Sequence, residues 1–115
     1  MTDKPLIWLG SSRSAVRGFS SDARRLAGHE LRQVQRGLDP SDWKTMKGVG
    51  PGVVELRIHR GGEYRVLYLA KFEEAVYVLH AFEKRTGRTP QVVLAVARTR
   101  LRQLRRWREQ RQEER

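Results

Sequence analysis

Between Glu55 and Pro90 apolar and polar positions alternate most clearly, and the alternation predicts three short strands. In Val53 to His59, Val54, Leu56 and Ile58 point one way, while Glu55, Arg57 and His59 point the other. The Arg60-Gly61-Gly62 turn supplies the positive-φ residues a hairpin needs. Glu63 to Ala70 is the second strand, with Tyr64, Val66 and Tyr68 opposed to Arg65, Leu67 and Leu69. Lys71 to Glu74 closes a second hairpin. Ala75 to Phe82 is the third strand, with Val76, Val78, His80 and Phe82 on one face and Tyr77, Leu79 and Ala81 on the other. Both faces of that strand are largely apolar, so it belongs in the middle of the sheet.

The flanks follow helical spacing. Pro5 to Gly10 (PLIWLG) is a short apolar run that predicts a fourth strand beside this meander, after an unstructured end over Met1 to Lys4. Ser11 and Ser12 are cap candidates for a short helix over Arg13 to Arg17, stopped by Gly18. Ser21 to Arg36 reads as a longer helix, with Ala23, Leu26, Ala27, Leu31, Val34 and Leu38 as its apolar positions and Gly37 and Pro40 as its stop. Phe19 can pack back on it, and His29 reads as structural or solvated. Asp39 to Gly52 reads as a loop anchored by Trp43 and Met46. Thr89 and Pro90 open a last helix whose stripe is Val93, Ala97, Leu101 and Leu104. The expected class is α+β: a four-stranded, mainly antiparallel sheet, two N-terminal helices on one face, and a C-terminal helix.

Composition narrows the picture. At 115 residues the chain reads as one domain, 1–115, with 98–115 as a basic helix or tail. That last segment holds eight arginines and three glutamates, a balance of +5, and should fray on its own. The whole chain carries +11, mostly from arginine, whose fork grips phosphate in a bidentate way. Such a field draws in nucleic acid, acidic protein or anionic membrane. There is no cysteine, which excludes disulfides and thiolate metal sites and fits a reducing cytosol. No signal peptide is visible, and no apolar run approaches the roughly 20 residues that span a bilayer.

Candidate chemistry is limited. His29, His59 and His80 are dispersed with no metal-ligand spacing, and neither a nucleophile elbow nor a phosphate loop is present, so no metal or cofactor is expected. What remains is a set of cations on a sheet, Arg57, Arg65 and Lys84, with His80 near them. RNA carries its own nucleophile, the 2′-hydroxyl. Cleaving it requires in-line positioning, charge stabilisation at the phosphorane-like transition state and proton transfer. Arginine and lysine suit the charge, and a histidine suits the proton. A surface ion pair of Arg57 or Arg65 with Glu55 or Glu63 is the competing reading. Exposed loop lysines at Lys44 and Lys47 read as solvated or as ligand contacts.

The residues Glu55-Leu56-Arg57, Tyr64-Arg65-Val66-Leu67-Tyr68, Leu79-His80-Ala81-Phe82-Glu83-Lys84-Arg85 and Thr89-Pro90 together resemble the RelE/ParE superfamily of bacterial toxins, in its phage-derived HigB-like branch. The resemblance covers nearly the whole chain. It implies a RelE-like fold and a metal-independent endoribonuclease, an mRNA interferase cutting message on the ribosome in the cytoplasm. The implied inhibitor is a helix-turn-helix antitoxin of the HigA kind, in a possible hetero-oligomer. It implies catalytic roles for Arg65, Lys84, Arg57, His80 and Arg85 and an RNA contact for Arg88; the basic residues Lys71, Arg60 and Lys47 are further RNA-binding candidates. No tyrosine or histidine follows His80, unlike relatives with such a residue near the C-terminus. Two alternatives stand beside this reading: a non-catalytic ParE-like toxin acting on a protein such as gyrase, and a basic nucleic-acid-binding module.

Overall fold

The computed structural model describes residues 3–113. Its elements are β1 (Leu6–Trp8), α1 (Ser12–Arg17), α2 (Ser21–Gln35), β2 (Trp43–Thr45), β3 (Val53–His59), β4 (Glu63–Leu69), β5 (Val76–Glu83) and α3 (Gln91–Glu113). One sheet of five strands runs in the order β1-β5-β4-β3-β2. β1 is parallel to β5 and every other pair is antiparallel. The expected α+β class and helix placement hold, with one strand more than the sequence pattern predicts. That strand is β2, inside the stretch read as a loop. Three residues are too few to display a period of two, and Trp43 lies 40% exposed at the sheet edge instead of anchoring the loop. Met46 does pack inward.

Helices cover the two faces unequally. On one face, Val16 of α1, the following Phe19, and Ala23, Ala27, Leu31 and Val34 of α2 pack on Leu56, Ile58, Tyr64, Val66, Tyr68, Val76 and Val78. Ser20 caps α2 by accepting a bond from the Ala23 N–H at 3.3 Å, and Gly37 ends the turn at φ +86°. Because the helix stops at Gln35, Leu38 falls outside its stripe and is exposed. On the other face, Ala97, Leu101 and Leu104 of α3 pack on Val53, Leu67, Leu69, Tyr77 and Leu79. Only part of this face is covered. Towards the β3–β4 turn, Arg57 is half-buried and His59 is exposed.

A bulge sets which side chains of β5 reach that face. Tyr68 pairs with Val78, but the adjoining Leu67 pairs with His80, so Leu79 is an extra residue with no opposite number. The simple alternation expected for this strand therefore fails at its middle. Val76 and Val78 join the α1–α2 core, whereas Phe82 packs on the α3 side, where the register also puts His80.

Both chain ends are better fixed than their composition suggests. Asp3 pairs with Arg32 at 2.9 Å, and the Lys4 N–H donates to Gln35 O at 3.0 Å. The part of the expected frayed end at Met1 and Thr2 lies outside the described residues, as do Glu114 and Arg115 of the tail. α3 continues through Glu113, and its arginines tie it down. Arg98 Nε donates to Gly48 O at 2.9 Å, and Arg108 Nε donates to Glu74 Oε2 at 2.7 Å while stacking 3.6 Å from the Phe72 ring. Among the described residues no helix is long and apolar enough to cross a membrane.

Candidate functional site

Strand register places the polar side chains of the α3 face in rows. Lys44, Glu55, Leu67 and His80 form one row across β2, β3, β4 and β5. Arg57, Arg65 and Phe82 form the next. His59 and Glu63 begin a third, and the Lys84 backbone N–H donates to Glu63 O at 2.6 Å, bringing the chain beyond β5 alongside. The β3–β4 turn fixes this register. Gly61 and Gly62 hold φ of +66° and +142°, values that a side chain would strain.

The side chains connect across the rows. Glu55 is only 1% exposed, and its Oε1 accepts a bond from Arg57 Nε at 3.0 Å. The same oxygen lies 3.8 Å from Arg65 Nε, an ion pair too long to be a hydrogen bond. Arg65 donates through one terminal nitrogen to Tyr64 O at 2.9 Å and through the other to Glu63 Oε1 at 3.2 Å. Its buried Nε has no hydrogen-bond partner among the described residues. Glu63 in turn meets His59 Nδ1 with both oxygens at 2.8 Å, and His59 Nε2 lies 2.6 Å from Asp42 Oδ2. The backbone holds Asp42 there, because its carbonyl accepts the Arg57 N–H at 2.9 Å.

This cluster is balanced, not simply basic. Arg57, Arg65 and a protonated His59 are matched by Asp42, Glu55 and Glu63. The ion-pair reading of Arg57 and Arg65 therefore describes them correctly, yet both also share one face at one end of the sheet. They differ in access. The Arg57 side chain is 30% exposed, against 7% for Arg65. Burial of a charge is tolerable where partners compensate it, and Arg65 has two carboxylates and a carbonyl around it.

Hydrogen bonds to Asp42, and next to Glu63, push the His59 pKa above the usual imidazole value, against a smaller opposing effect of burial. The bond from His59 holds the Glu63 carboxyl below its usual range. His80 behaves in the opposite way. It is half-buried and stacked on Phe82 at 5.8 Å between ring centres, and Arg100 donates to its Nδ1 at 3.2 Å. Burial first, and the Arg100 charge second, push its pKa down.

The remaining predicted residues fall in two places. Arg60 lies in the β3–β4 turn, where its carbonyl accepts a bond from Ser20 Oγ at 3.2 Å. Arg85, paired with Glu83 at 3.2 Å, and Arg88 are exposed in the connection to α3, near the same end. Lys47 and Lys71 lie at the other end of the sheet, in the β2–β3 and β4–β5 connections, with Lys71 Nζ 5.2 Å from the Phe72 ring. The structure therefore does not bring these two lysines to Arg57 and Arg65. Sequence reasoning missed Asp42, Glu55, His59 and Glu63 as members of the site. The Glu55-x-Arg57-x-His59 alternation does put those three residues on one face, but nothing in it marks His59 as paired, and Asp42 arrives just before β2, which has no visible pattern.

The principal hollows, each about 390 Å³, lie elsewhere, between β1 and α3 around Ile7, Tyr77 and Trp107. The charged cluster is an open surface, a shape that suits an extended polymer better than an enclosed small molecule. A family model, phage derived protein Gp49-like (DUF891), matches residues 14–102, from α1 through the first half of α3. No curated protein matches the chain.

Proposed function

The chain belongs to the phage-derived Gp49-like family, and from that premise we propose that it is the toxin of a toxin–antitoxin pair, an endoribonuclease that cuts mRNA on the ribosome. One observation carries the reading. Arg57 and Arg65 are directly paired across β3 and β4 on the face that α3 leaves uncovered, with ionisable His59 two residues along the strand. A message strand laid over that face would set a phosphate against Arg57. Lys44 and Lys84 lie on either side of the row and make no ion pair among the described residues.

In the proposed reaction the 2′-hydroxyl attacks the neighbouring phosphorus. Negative charge grows on the non-bridging oxygens, and a preorganised guanidinium there lowers the barrier more than it would in water. Arg57 takes that role because its guanidinium is the accessible one. Arg65 positions: it grips Glu63 and, with Glu55, fixes the direction in which Arg57 points. DNA lacks the 2′-hydroxyl, so the chemistry itself selects RNA. The proposed partners are mRNA, the ribosome and a helix-turn-helix antitoxin, in the cytoplasm. The +11 charge supports docking on ribosomal RNA.

A second reading has its own support. Three cations matched by three carboxylates is also what a family member that acts on a protein target would retain for stability alone. Mapping 5′ ends of cellular RNA after induction separates the two. New cuts inside translated messages, absent with Arg57→Ala, support the ribonuclease. Growth arrest with an SOS response and no cuts supports a gyrase-type target. Salt-sensitive RNA binding with normal growth would leave only a basic binding module.

A further inference from the structure

Within the endoribonuclease reading, on which this inference rests, we propose that His59 is the catalytic acid, giving a proton to the 5′-oxygen that departs from phosphorus. The sequence pattern and the family resemblance point instead to His80, so the assignment comes from geometry.

Position is the first argument. His59 is on the same strand as Arg57 and two residues away, which in a pleated strand is the same face. Its side chain is half exposed. His80 lies one row further from the turn, half-buried, with Phe82 against its ring and Arg100 donating to Nδ1. With Arg100 donating to Nδ1 the His80 ring is neutral, and burial and the Arg100 charge both disfavour the imidazolium that a general acid needs.

The proton inventory is the second. Both ring nitrogens of His59 lie within hydrogen-bond distance of carboxylate oxygens, which accept only. Both bonds exist only if both nitrogens carry hydrogen, so the ring is an imidazolium. Asp42 faces it from the segment before β2, and Glu63 from β4. Arg65 reaches it only through Glu63, while Arg57 on its own strand is bound to Glu55. Arg60 is its exposed neighbour in the turn, and Lys84 is tied by its backbone to Glu63.

The two carboxylates then differ in kind. Glu63 meets Nδ1 with both oxygens and is itself held by Arg65, so it orients the ring. Asp42 meets Nε2 with one oxygen from an exposed position at the sheet edge. An anionic phosphodiester entering over Arg57 can take the place of the Asp42 carboxylate on Nε2. In the step itself, the 2′-oxygen forms its bond to phosphorus as the bond from phosphorus to the 5′-oxygen breaks. The Nε2 proton passes to the 5′-oxygen, leaving a 5′-hydroxyl and a 2′,3′-cyclic phosphate. The 2′-hydroxyl proton goes to water, and water later returns a proton to the imidazole.

A sulfur-substituted message tests this. Ribosomes are programmed with an mRNA in which sulfur replaces the bridging 5′-oxygen at the cleaved position, because a thiolate leaves without needing a proton. His59→Gln should slow cleavage of the ordinary message by about 10²–10⁴-fold. On the sulfur message it should stay within roughly the range expected of an intact site lacking only its acid, close to wild type. Asp42→Asn should move the alkaline limb of the kcat/KM profile, which reports the free enzyme, to lower pH, because the bond to Asp42 is the largest cause of the raised His59 pKa. Equal slowing on both messages, no slowing on either, or an unmoved limb would each overturn the assignment. A wild-type protein that cuts neither message would instead overturn the endoribonuclease reading, and the role of His59 with it. Circular dichroism of His59→Gln at the assay temperature separates lost chemistry from lost fold.

Discussion

Arg57 and Arg65 face each other as paired residues across β3 and β4, and the carboxylate of Glu55 lies against the Nε atoms of both, at 3.0 and 3.8 Å. Two like charges side by side on adjacent strands repel. The buried carboxylate removes that repulsion and aligns the pair at the same time.

Glu55→Gln should therefore destabilise the fold by about 3 kcal/mol, since it removes the buried carboxylate shared by both arginines and leaves Arg65 with Glu63 alone. Urea denaturation at neutral pH measures it. A loss below about 0.5 kcal/mol, the range of ordinary surface changes, would mean that solvent already compensates the two arginines.

Arg57→Ala and Arg65→Ala should part company. Arg57 is the more accessible, so its loss should cost about 10²–10³ in cleavage rate, as for one transition-state donor, with a near-normal melting temperature. Arg65→Ala should unfold more easily, by about 3–5 kcal/mol, because it strips a partner from buried Glu55. Paired rate and melting measurements decide the order, and the same order in both assays would contradict the division of roles.

The His59 contacts give a pH signature in stability. The folded-state pKa is raised, first by Asp42 and then by Glu63. The folded state therefore holds the proton more tightly than the unfolded chain, whose value is near 6.5. The stabilisation is complete below about that pH and disappears as pH rises through the folded value. The melting-temperature difference between wild type and His59→Gln should shrink from pH 6 to pH 9. A constant difference across that range would show that the imidazolium contributes nothing.

Glu74 provides the complementary case at the far end of α3. The bond from Arg108, and after it the bond from Tyr77, hold its carboxyl down at about 2. This contribution is present above the unfolded value of 4.5 and is lost as pH falls towards 2. Arg108→Ala should speed amide exchange over the last two turns of α3 while leaving β3 and β4 protected. Hydrogen-exchange mass spectrometry reads both regions in one experiment.

Much of this was legible in the sequence, for reasons specific to each element. β3 and β4 each run seven residues of alternating pattern on either side of the Gly61-Gly62 turn, enough to fix both their faces, whereas the register that pairs Arg57 with Arg65 is seen only in the structure. β2 was hidden because three residues carry no period. Asp42 was hidden with it, since its place beside His59 depends on a strand pairing 17 residues away in sequence. The burial of Arg65 was not legible either. Composition shows an arginine among glutamates, but not that Glu63 and the Tyr64 carbonyl close over it. Nor could the tail's arginines reveal that they would grip Gly48, Leu79 and Glu74 and so extend the helix.

The unmatched residue at Leu79 makes β5 two half-strands out of phase with each other. Deleting it would let the two halves join in one regular ladder, since Val78 and His80 already pair with the consecutive residues Tyr68 and Leu67. His80 and Phe82 would keep the partners and the face they now have, opposite Leu67 and Arg65. What the extra position contributes is thus its buried aliphatic side chain beneath α3: losing it would open a cavity there while leaving the aromatic flank of the charged surface in place.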